Sequence, residues 1–304
     1  MPAIGNTPLI KLERLIEPGC ADIYVKYEGA NPTGSMKDRM ALSMIEGAEK
    51  RGELKPGGTV MDYTGGSTGS SLAMVCATKG YKAYFVSSDA FAKEKLQTMQ
   101  AFGAELEIFP SGDGKITAAL IDSMVARAKE LSKQPGIFWT DQFNNADNRS
   151  AYHGMATEIM GVLGKDIDEF IMGVGTGGCF SGNAEWLKTE IPTIRCIAIE
   201  PYYVRALSGG DMSGKHKLEG IGAGFVPSIC RLELADEIIA VKDEDAIETT
   251  RKLARTEGIF SGTTSGANVW AAIQRARVIG AGKKIVTVVA DSGLKYLNGD
   301  LYKD

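Results

Sequence analysis

Three places in the chain bring together residues able to do chemistry. In Asn31-Pro32-Thr33-Gly34-Ser35-Met36-Lys37-Asp38-Arg39 a turn delivers a lysine to the first turn of a helix that follows a strand. The positive end of a helix disfavours an ammonium there, and the neutral amine is the form that attacks a carbonyl. The second place, Gly65-Gly66-Ser67-Thr68-Gly69, follows a strand reading Thr59 to Thr64. The third, Gly175-Thr176-Gly177-Gly178, follows a strand reading Glu169 to Val174. Glycines at the carboxyl end of a strand let backbone N–H groups approach a ligand, and the helix that follows favours an anion. Each loop is therefore suited to one anion, and a carbonyl cofactor carrying a phosphate would use both a loop and the lysine. A dinucleotide is the competing ligand for Gly173-Val174-Gly175-Thr176-Gly177-Gly178, with Glu200 at the end of the next strand as its ribose acid. That pattern lies in the second half of the chain, however, rather than in the first strand-to-helix turn.

The elements that must position these loops alternate regularly. Short apolar runs begin at Asp22, Thr59, Lys82, Glu105, Glu169, Thr193 and Lys284, and read as strands. Between them the helical period is met over 37–51, 71–79, 91–102, 116–132, 151–163 and 243–257. Strand, helix, strand in repetition implies a parallel sheet, and the nearly continuous apolar strands after residue 168 imply one covered on both faces. The polar stretch Thr140 to Arg149 reads as a boundary between two regions.

Composition removes several classes of function. The 304 residues are 24% charged and 44% apolar, an ordinary globular balance. Lysine and arginine total 34 against 38 acids, a net charge of −4, with no basic stripe to meet a nucleic acid. Charge-free stretches such as Tyr63 to Thr78 fall short of the roughly 20 apolar residues that span a bilayer. The N-terminal residues lack an export pattern, so a cytoplasmic protein is expected. Five scattered cysteines and two histidines give neither a disulfide framework nor a metal site. Glycine, 37 residues or about 12% where about 7% is usual, is concentrated in the loops.

The motifs IGNTPL from Ile4, PTGSMKDR, DQFNNADN, GVGTGGC, GIGAGF, SGTTSGA and DSGLKYL from Asp291 follow one another in an order that resembles the cysteine synthase and cystathionine β-synthase family, fold-type II enzymes dependent on pyridoxal phosphate. The resemblance covers essentially the whole chain. It implies an α/β fold of two doubly wound, three-layer lobes, like the tryptophan synthase β-subunit. A smaller lobe over 35–145 would carry the substrate loop, and a larger one over 1–34 and 146–304 the phosphate loop.

Carried over by motif, Lys37 forms the internal aldimine and moves the Cα proton. Gly175, Thr176, Gly177, Gly178 and Cys179 cradle the phosphate, Ser67 faces the cofactor's 3′ oxygen, and Thr264 meets the pyridine nitrogen. Thr64, Gly65, Gly66, Thr68 and Gln142 hold the amino-acid carboxylate. A neutral hydroxyl at the pyridine makes the ring a weaker electron sink, which favours loss of a β-substituent through an α-aminoacrylate over transamination or racemisation. The family is usually homodimeric.

The chain also departs from the family. Thr64-Gly65-Gly66-Ser67-Thr68-Gly69 stands in place of TSGNTG, so a carboxylate-binding serine becomes Gly65, with more room and a looser loop expected. The asparagine of that motif becomes the shorter Ser67, a residue equally suited to capping the helix. Cys179 replaces a threonine of the phosphate loop, and a thiol donates weakly. Leu294 and Lys295 replace an acid and an arginine after DSG. These changes mark an atypical subgroup, read as a bare catalytic core without added domains.

Other residues take plainer readings. His153 is read as packing or solvent-facing and His216 as solvated. Cys20, Cys76, Cys196 and Cys230 are read as small apolar fillers, and Met36, Met40 and Met44 as core. Arg205, Asp211, Lys215 and Lys217 either select a substrate side chain or solvate a loop.

The function expected first is β-replacement on an activated L-serine, such as O-acetyl-L-serine, by sulfide or another thiol. The alternatives are a β-eliminating lyase acting on cysteine or serine and, from another class, a binding or regulatory protein on the same fold.

Overall fold

Parallel strands require a crossover between each pair and cover on their faces, and helix-period segments between apolar runs supply both. The computed structural model describes Met1, Ala3 to Gly112, Gly114, Lys115 and Thr117 to Lys303. The chain opens with β1 (Leu9–Lys11) and β2 (Asp22–Tyr27). It continues through α1 (Lys37–Arg51), β3 (Thr59–Tyr63), α2 (Ser67–Lys79), β4 (Lys82–Ser88), α3 (Lys93–Ala101) and β5 (Glu105–Phe109). Next come α4 (Ala118–Leu131), β6 (Ile137–Trp139), α5 (Ala146–Ser150), α6 (His153–Leu163), β7 (Glu169–Gly173) and α7 (Gly178–Glu190). The last elements are β8 (Arg195–Pro201), β9 (Glu237–Val241), α8 (Asp243–Lys252), α9 (Thr263–Ile279) and β10 (Lys284–Val289).

These elements form two compact units. One spans Lys37–Asn148, and the other takes residues up to Met36 together with those from Arg149 onward. In the first unit four parallel strands lie in the order β5-β4-β3-β6, with Thr59 opposite both Lys82 and Ile137. Met61 and Val86 pack there against Leu120, Met124, Ala128 and Leu131 of α4. In the second unit six strands lie in the order β1-β2-β10-β7-β8-β9, and only β1, against β2, is antiparallel. Its core joins Ile23, Val25, Ile171, Ile197, Ile199, Ile285 and Val289 to the alanines of α9. Met36, Met40 and Met44 are buried, as their helical spacing implied.

Several boundaries differ from the periodicity, each for a local reason. The helix expected from Ser71 begins at Ser67, because Thr64 Oγ1 accepts from the N–H groups of Gly66 and Gly69 and secures a turn that the glycines hide. The helix expected from Phe91 begins at Lys93, leaving Phe91 in a turn closed by its N–H on Ser88 O. The helix expected over 116–132 runs from Ala118, capped by Thr117 Oγ1 on Leu120 N; Ile116 lies outside the described residues. The helix expected from Ala151 starts at His153, and that expected over 243–257 widens after Lys252 into a π turn ending at left-handed Gly258. The strands β1, β6 and β9 escaped recognition, the first two being three residues long. So did α9, whose opening run of small residues has no apolar period.

That run serves close packing. A Cβ on Gly266 would stand 2.0 Å from Thr250 Oγ1 and 2.1 Å from Ala246 O, both on α8. Gly266→Ala is therefore expected to destabilise the second unit by about 1–3 kcal/mol through overpacking, despite the better helix propensity of alanine. Urea unfolding monitored at the α8–α9 amides by hydrogen exchange measures this, and an unchanged midpoint would refute the packing argument.

Candidate active site

The segment that leads to Lys37 is held by buried polar groups in the second unit. Glu28, fully buried, accepts from Thr7 Oγ1 at 2.6 Å and from Asn31 Nδ2 at 2.8 Å. Lys26, only 2% exposed, donates to Thr7 O and pairs with Glu158 at 2.7 Å. Gly5 N donates to Asn31 Oδ1, so the first motif of the chain braces the start of the turn that leads to the lysine. Gly34 is left-handed at φ 71°, its carbonyl accepts from Ser292 N, and Met36 N donates to Ala290 O. The DSG segment thus fixes the path that ends at Lys37, the first residue of α1.

In the same unit, β7 ends on a cradle of backbone. Asn268 of α9 accepts from Gly173 N at 2.8 Å and donates to Val288 O at 2.7 Å, which sets the end of β7 against β10. A Cβ on Gly175 would stand 2.1 Å from Gly220 O. Gly177 is left-handed at φ 87°, and a Cβ there would stand 2.6 Å from Cys230 Cβ. Gly178 then opens α7, whose first N–H groups have no carbonyl of their own helix to meet. Thr176 and Cys179 are buried beside them, and Cys179 O and Sγ accept from Asn183 Nδ2 at 2.8 and 3.7 Å. A concave glycine loop on the positive end of a long helix fits a phosphate.

The facing strip 216–222 is equally organised. His216 is not a solvated side chain: its Nδ1 accepts from Leu218 N, and its Nε2 stands 3.2 Å from Gly222 O. Gly222 N donates to Val174 O. Thr264 Oγ1 donates to Glu219 O at 2.6 Å, so the proposed pyridine partner is joined to the phosphate loop through residues 219 and 220. Glu200, the candidate ribose acid, is buried, and its carboxylate accepts from Leu207 N, Ser208 N and Ser208 Oγ. It is spent on folding its own loop, and the dinucleotide reading loses its anchor. His153 stacks on Trp186 at 5.1 Å, beside Glu185. Cys76 and Cys196 are buried, which pushes both thiols up to about 12; of the four cysteines read as fillers, Cys230 is the one packed against Gly177 of the cradle.

The first unit carries the other loop. Thr68 Oγ1 donates to Gln142 Oε1 at 2.8 Å, and among the described residues the Gln142 Nε2 amide makes no hydrogen bond. Thr64 spends its oxygen on the Gly66 and Gly69 amides. Ser67 is the first helical residue of α2, and Gly66, not Ser67, is its cap; among the described residues Ser67 Oγ makes no hydrogen bond. The arrangement offers an anion the N-terminus of α2 and one oriented amide.

Gly65 corrects an expectation. A Cβ there would fall 1.9 Å from Phe91 Cγ and 2.0 Å from Phe91 Cδ2, so the space given up by a side chain is filled by an aromatic ring. The loop does not have the extra room that the glycine alone suggested.

Gln142 is aimed by residues that carry no motif. Asp62, fully buried near the end of β3, accepts from Thr140 Oγ1 at 2.6 Å, Tyr63 N at 2.8 Å and Trp139 Nε1 at 3.0 Å. It ties the end of β6 to β3. Asp141 then takes a left-handed φ of 43°, and its carboxylate accepts from Asn144 Nδ2. Burial pushes the Asp62 carboxyl up to about 6, with the three donors acting in the opposite sense. An acid inside an apolar strand was the only sequence signal for Asp62; Phe91 was concealed by the helix assigned across it.

Comparison with known proteins agrees with this geometry. Residues 1–291 match the family described as "Pyridoxal-phosphate dependent enzyme". A cysteine synthase from Staphylococcus aureus is 44% identical over 302 residues, covering 98% of this chain and 95% of that protein. A hydrogen sulfide-producing enzyme from Fusobacterium nucleatum is 40% identical with a TM-score of 0.91, over 97% of this chain and 96% of its own. A cysteine synthase from Entamoeba histolytica is 35% identical with a TM-score of 0.93, over 100% of this chain and 90% of its own.

Two predictions follow from the two units. Gly175→Ala is expected to push the loop off Gly220 and abolish pyridoxal phosphate retention, read as loss of cofactor absorbance after dialysis while the circular dichroism stays native. The folded Asp62 carboxyl binds its proton more tightly than the ordinary value of 3.8 allows in the unfolded chain. Its stabilising contribution is therefore complete below about pH 4 and is lost as pH rises through about 6. Urea unfolding between these pH values should show a downward slope that Asp62→Asn flattens; an equal slope in both proteins would refute it.

Proposed function

The chain belongs to the pyridoxal-phosphate dependent enzymes, and from that premise we propose that it catalyses β-replacement on an activated L-serine, such as O-acetyl-L-serine, with sulfide or another thiol as the second substrate. The observation that carries the reading is the Gln142 amide, oriented by Thr68 beside the N-terminus of α2, an arrangement that supports binding of an amino-acid carboxylate. The 44% identity to a cysteine synthase over nearly the full chain supports the same class.

Pyridoxal phosphate, when bound, supplies a carbonyl for amines and a ring that withdraws electrons from Cα. The residues of this chain do the rest. Gly175 to Gly178 and Cys179, at the start of α7, hold the phosphate through backbone N–H groups and the helix dipole. Lys37 Nζ would hold the cofactor through its carbonyl and, once released by the incoming substrate amine, would take the proton from the substrate Cα. Gln142 Nε2 and the 65–68 backbone hold the carboxylate, and Thr68 keeps the amide turned towards it. Thr264, whose hydroxyl donates to Glu219 O in this structure, would offer the ring nitrogen an uncharged hydroxyl rather than a carboxylate, and such a partner favours expulsion of the β-substituent over transamination. Ser67 Oγ has the free hydrogen-bonding capacity to meet the 3′ oxygen.

β-Elimination from cysteine or serine is the second reading, supported by the 40% identity to a hydrogen sulfide-producing enzyme. We also propose a cytoplasmic location, supported by the five unbridged thiols, and a homodimer, supported by the family resemblance alone.

Incubating the holoenzyme with O-acetyl-L-serine and sulfide should yield cysteine in excess over pyruvate. Lys37→Ala should lose at least roughly 1,000-fold in rate, the scale set by removing a proton-transferring group. Pyruvate as the main product would favour elimination, and no product from any activated serine, from cysteine or from serine would overturn both readings.

A further inference from the structure

The loop after β3 has a packed side and an open side. A Cβ on Gly65 would meet the Phe91 ring at 1.9–2.4 Å, and one on Gly69 would meet Met99 Cε at 2.6 Å and Sδ at 2.7 Å. A Cβ on Gly66, between them, meets nothing within 4 Å. The glycines at 65 and 69 therefore sit against one segment, 91–99, while Gly66 stands in open space.

Phe91 is itself held in place. Its N–H donates to Ser88 O at 3.2 Å, Ser88 Oγ accepts from Ala90 N at 3.2 Å, and Asp89 Oδ1 accepts from Ser111 N at 2.8 Å. The ring is half-buried and packs against the cluster that contains Met61 and Val86. It thus bridges the sheet core of the first unit and the backbone of Gly65.

We propose that Phe91 is a positioning residue for the amino-acid site. Its ring backs Gly65 and fixes the 65–69 backbone by packing, so that the first N–H groups of α2, from Ser67 onward, are presented to a carboxylate before any substrate arrives. The reading rests on this loop being the amino-acid site. A glycine at 65 and an aromatic ring at 91 form one unit: a side chain at 65 and a phenyl ring at 91 exclude each other.

The test is a cycle of holoenzyme variants: Phe91→Ala, Phe91→Leu, Gly65→Ser, and Gly65→Ser with Phe91→Ala. Two readouts are followed, hydrogen exchange at the 65–69 amides without substrate, and KM for the activated serine against kcat and against KM for sulfide. Phe91→Ala should speed exchange and raise KM for the amino acid roughly tenfold, with KM for sulfide within twofold of wild type, a cost typical of a displaced binding loop. Phe91→Leu should recover most of this loss, which also guards against a folding defect. Gly65→Ser should be more damaging in the wild-type background than when Phe91 is alanine, a non-additivity that requires direct contact. Unchanged exchange in Phe91→Ala, or strictly additive effects in the cycle, overturns the proposal. Faster exchange with an unchanged amino-acid KM instead refutes the loop as the amino-acid site, and with it the role assigned to Phe91 there.

Discussion

The Gly220 carbonyl occupies the place that any side chain on residue 175 would need. This close approach of two backbones makes the cradle at the end of β7 possible. It also draws the 216–222 strip, and through it Thr264, into one structure. Gly222 N on Val174 O and His216 against Gly222 O hold the strip where the contact demands. Asn268 does the same for the strand beneath, with both ends of one amide used on β7 and β10. A phosphate bound at the start of α7, as proposed, would meet backbone whose position is decided before binding, which lowers the ordering cost of the complex.

The first unit solves a related problem by other means. In the proposed function its loop offers an amide and a helix N-terminus to a carboxylate, and the amide comes from a distant turn. Asp62 brings that turn into register by joining Thr140 and Trp139 to β3. The left-handed Asp141 and the Thr68 hydroxyl then fix where the Gln142 amide points. Burying a carboxyl is costly, and three donors on its two oxygens offset part of that cost. The same group that aligns the strands therefore raises its own affinity for a proton.

The departures from the family pattern acquire physical meaning at particular residues. Gly65, read alone, suggests space and mobility; beside Phe91 it marks a contact too close for a Cβ. Ser67, read alone, is divided between cap and ligand; in the structure Gly66 is the cap and the serine hydroxyl is uncommitted. Glu200 ends its strand at the position a ribose acid would take, yet its oxygens are consumed by residues 207 and 208. In each case the residue's chemistry was legible and its partner was not.

The sequence by itself determined the parallel α/β class, the strand-to-helix glycine loops, the lysine at the head of α1 and the family to which these belong. Such features are local: period, turn chemistry and motif order are written over a few consecutive residues. Only the tertiary structure decided what fills the space beside Gly65, which carbonyl closes on Gly175, why His216 is not solvated, and how Asp62 aims Gln142. Those contacts join residues from about 6 to 80 positions apart, so no local pattern encodes them. They exist because close packing lets two distant segments occupy one place only if one of them gives up its side chain or supplies the missing hydrogen bond.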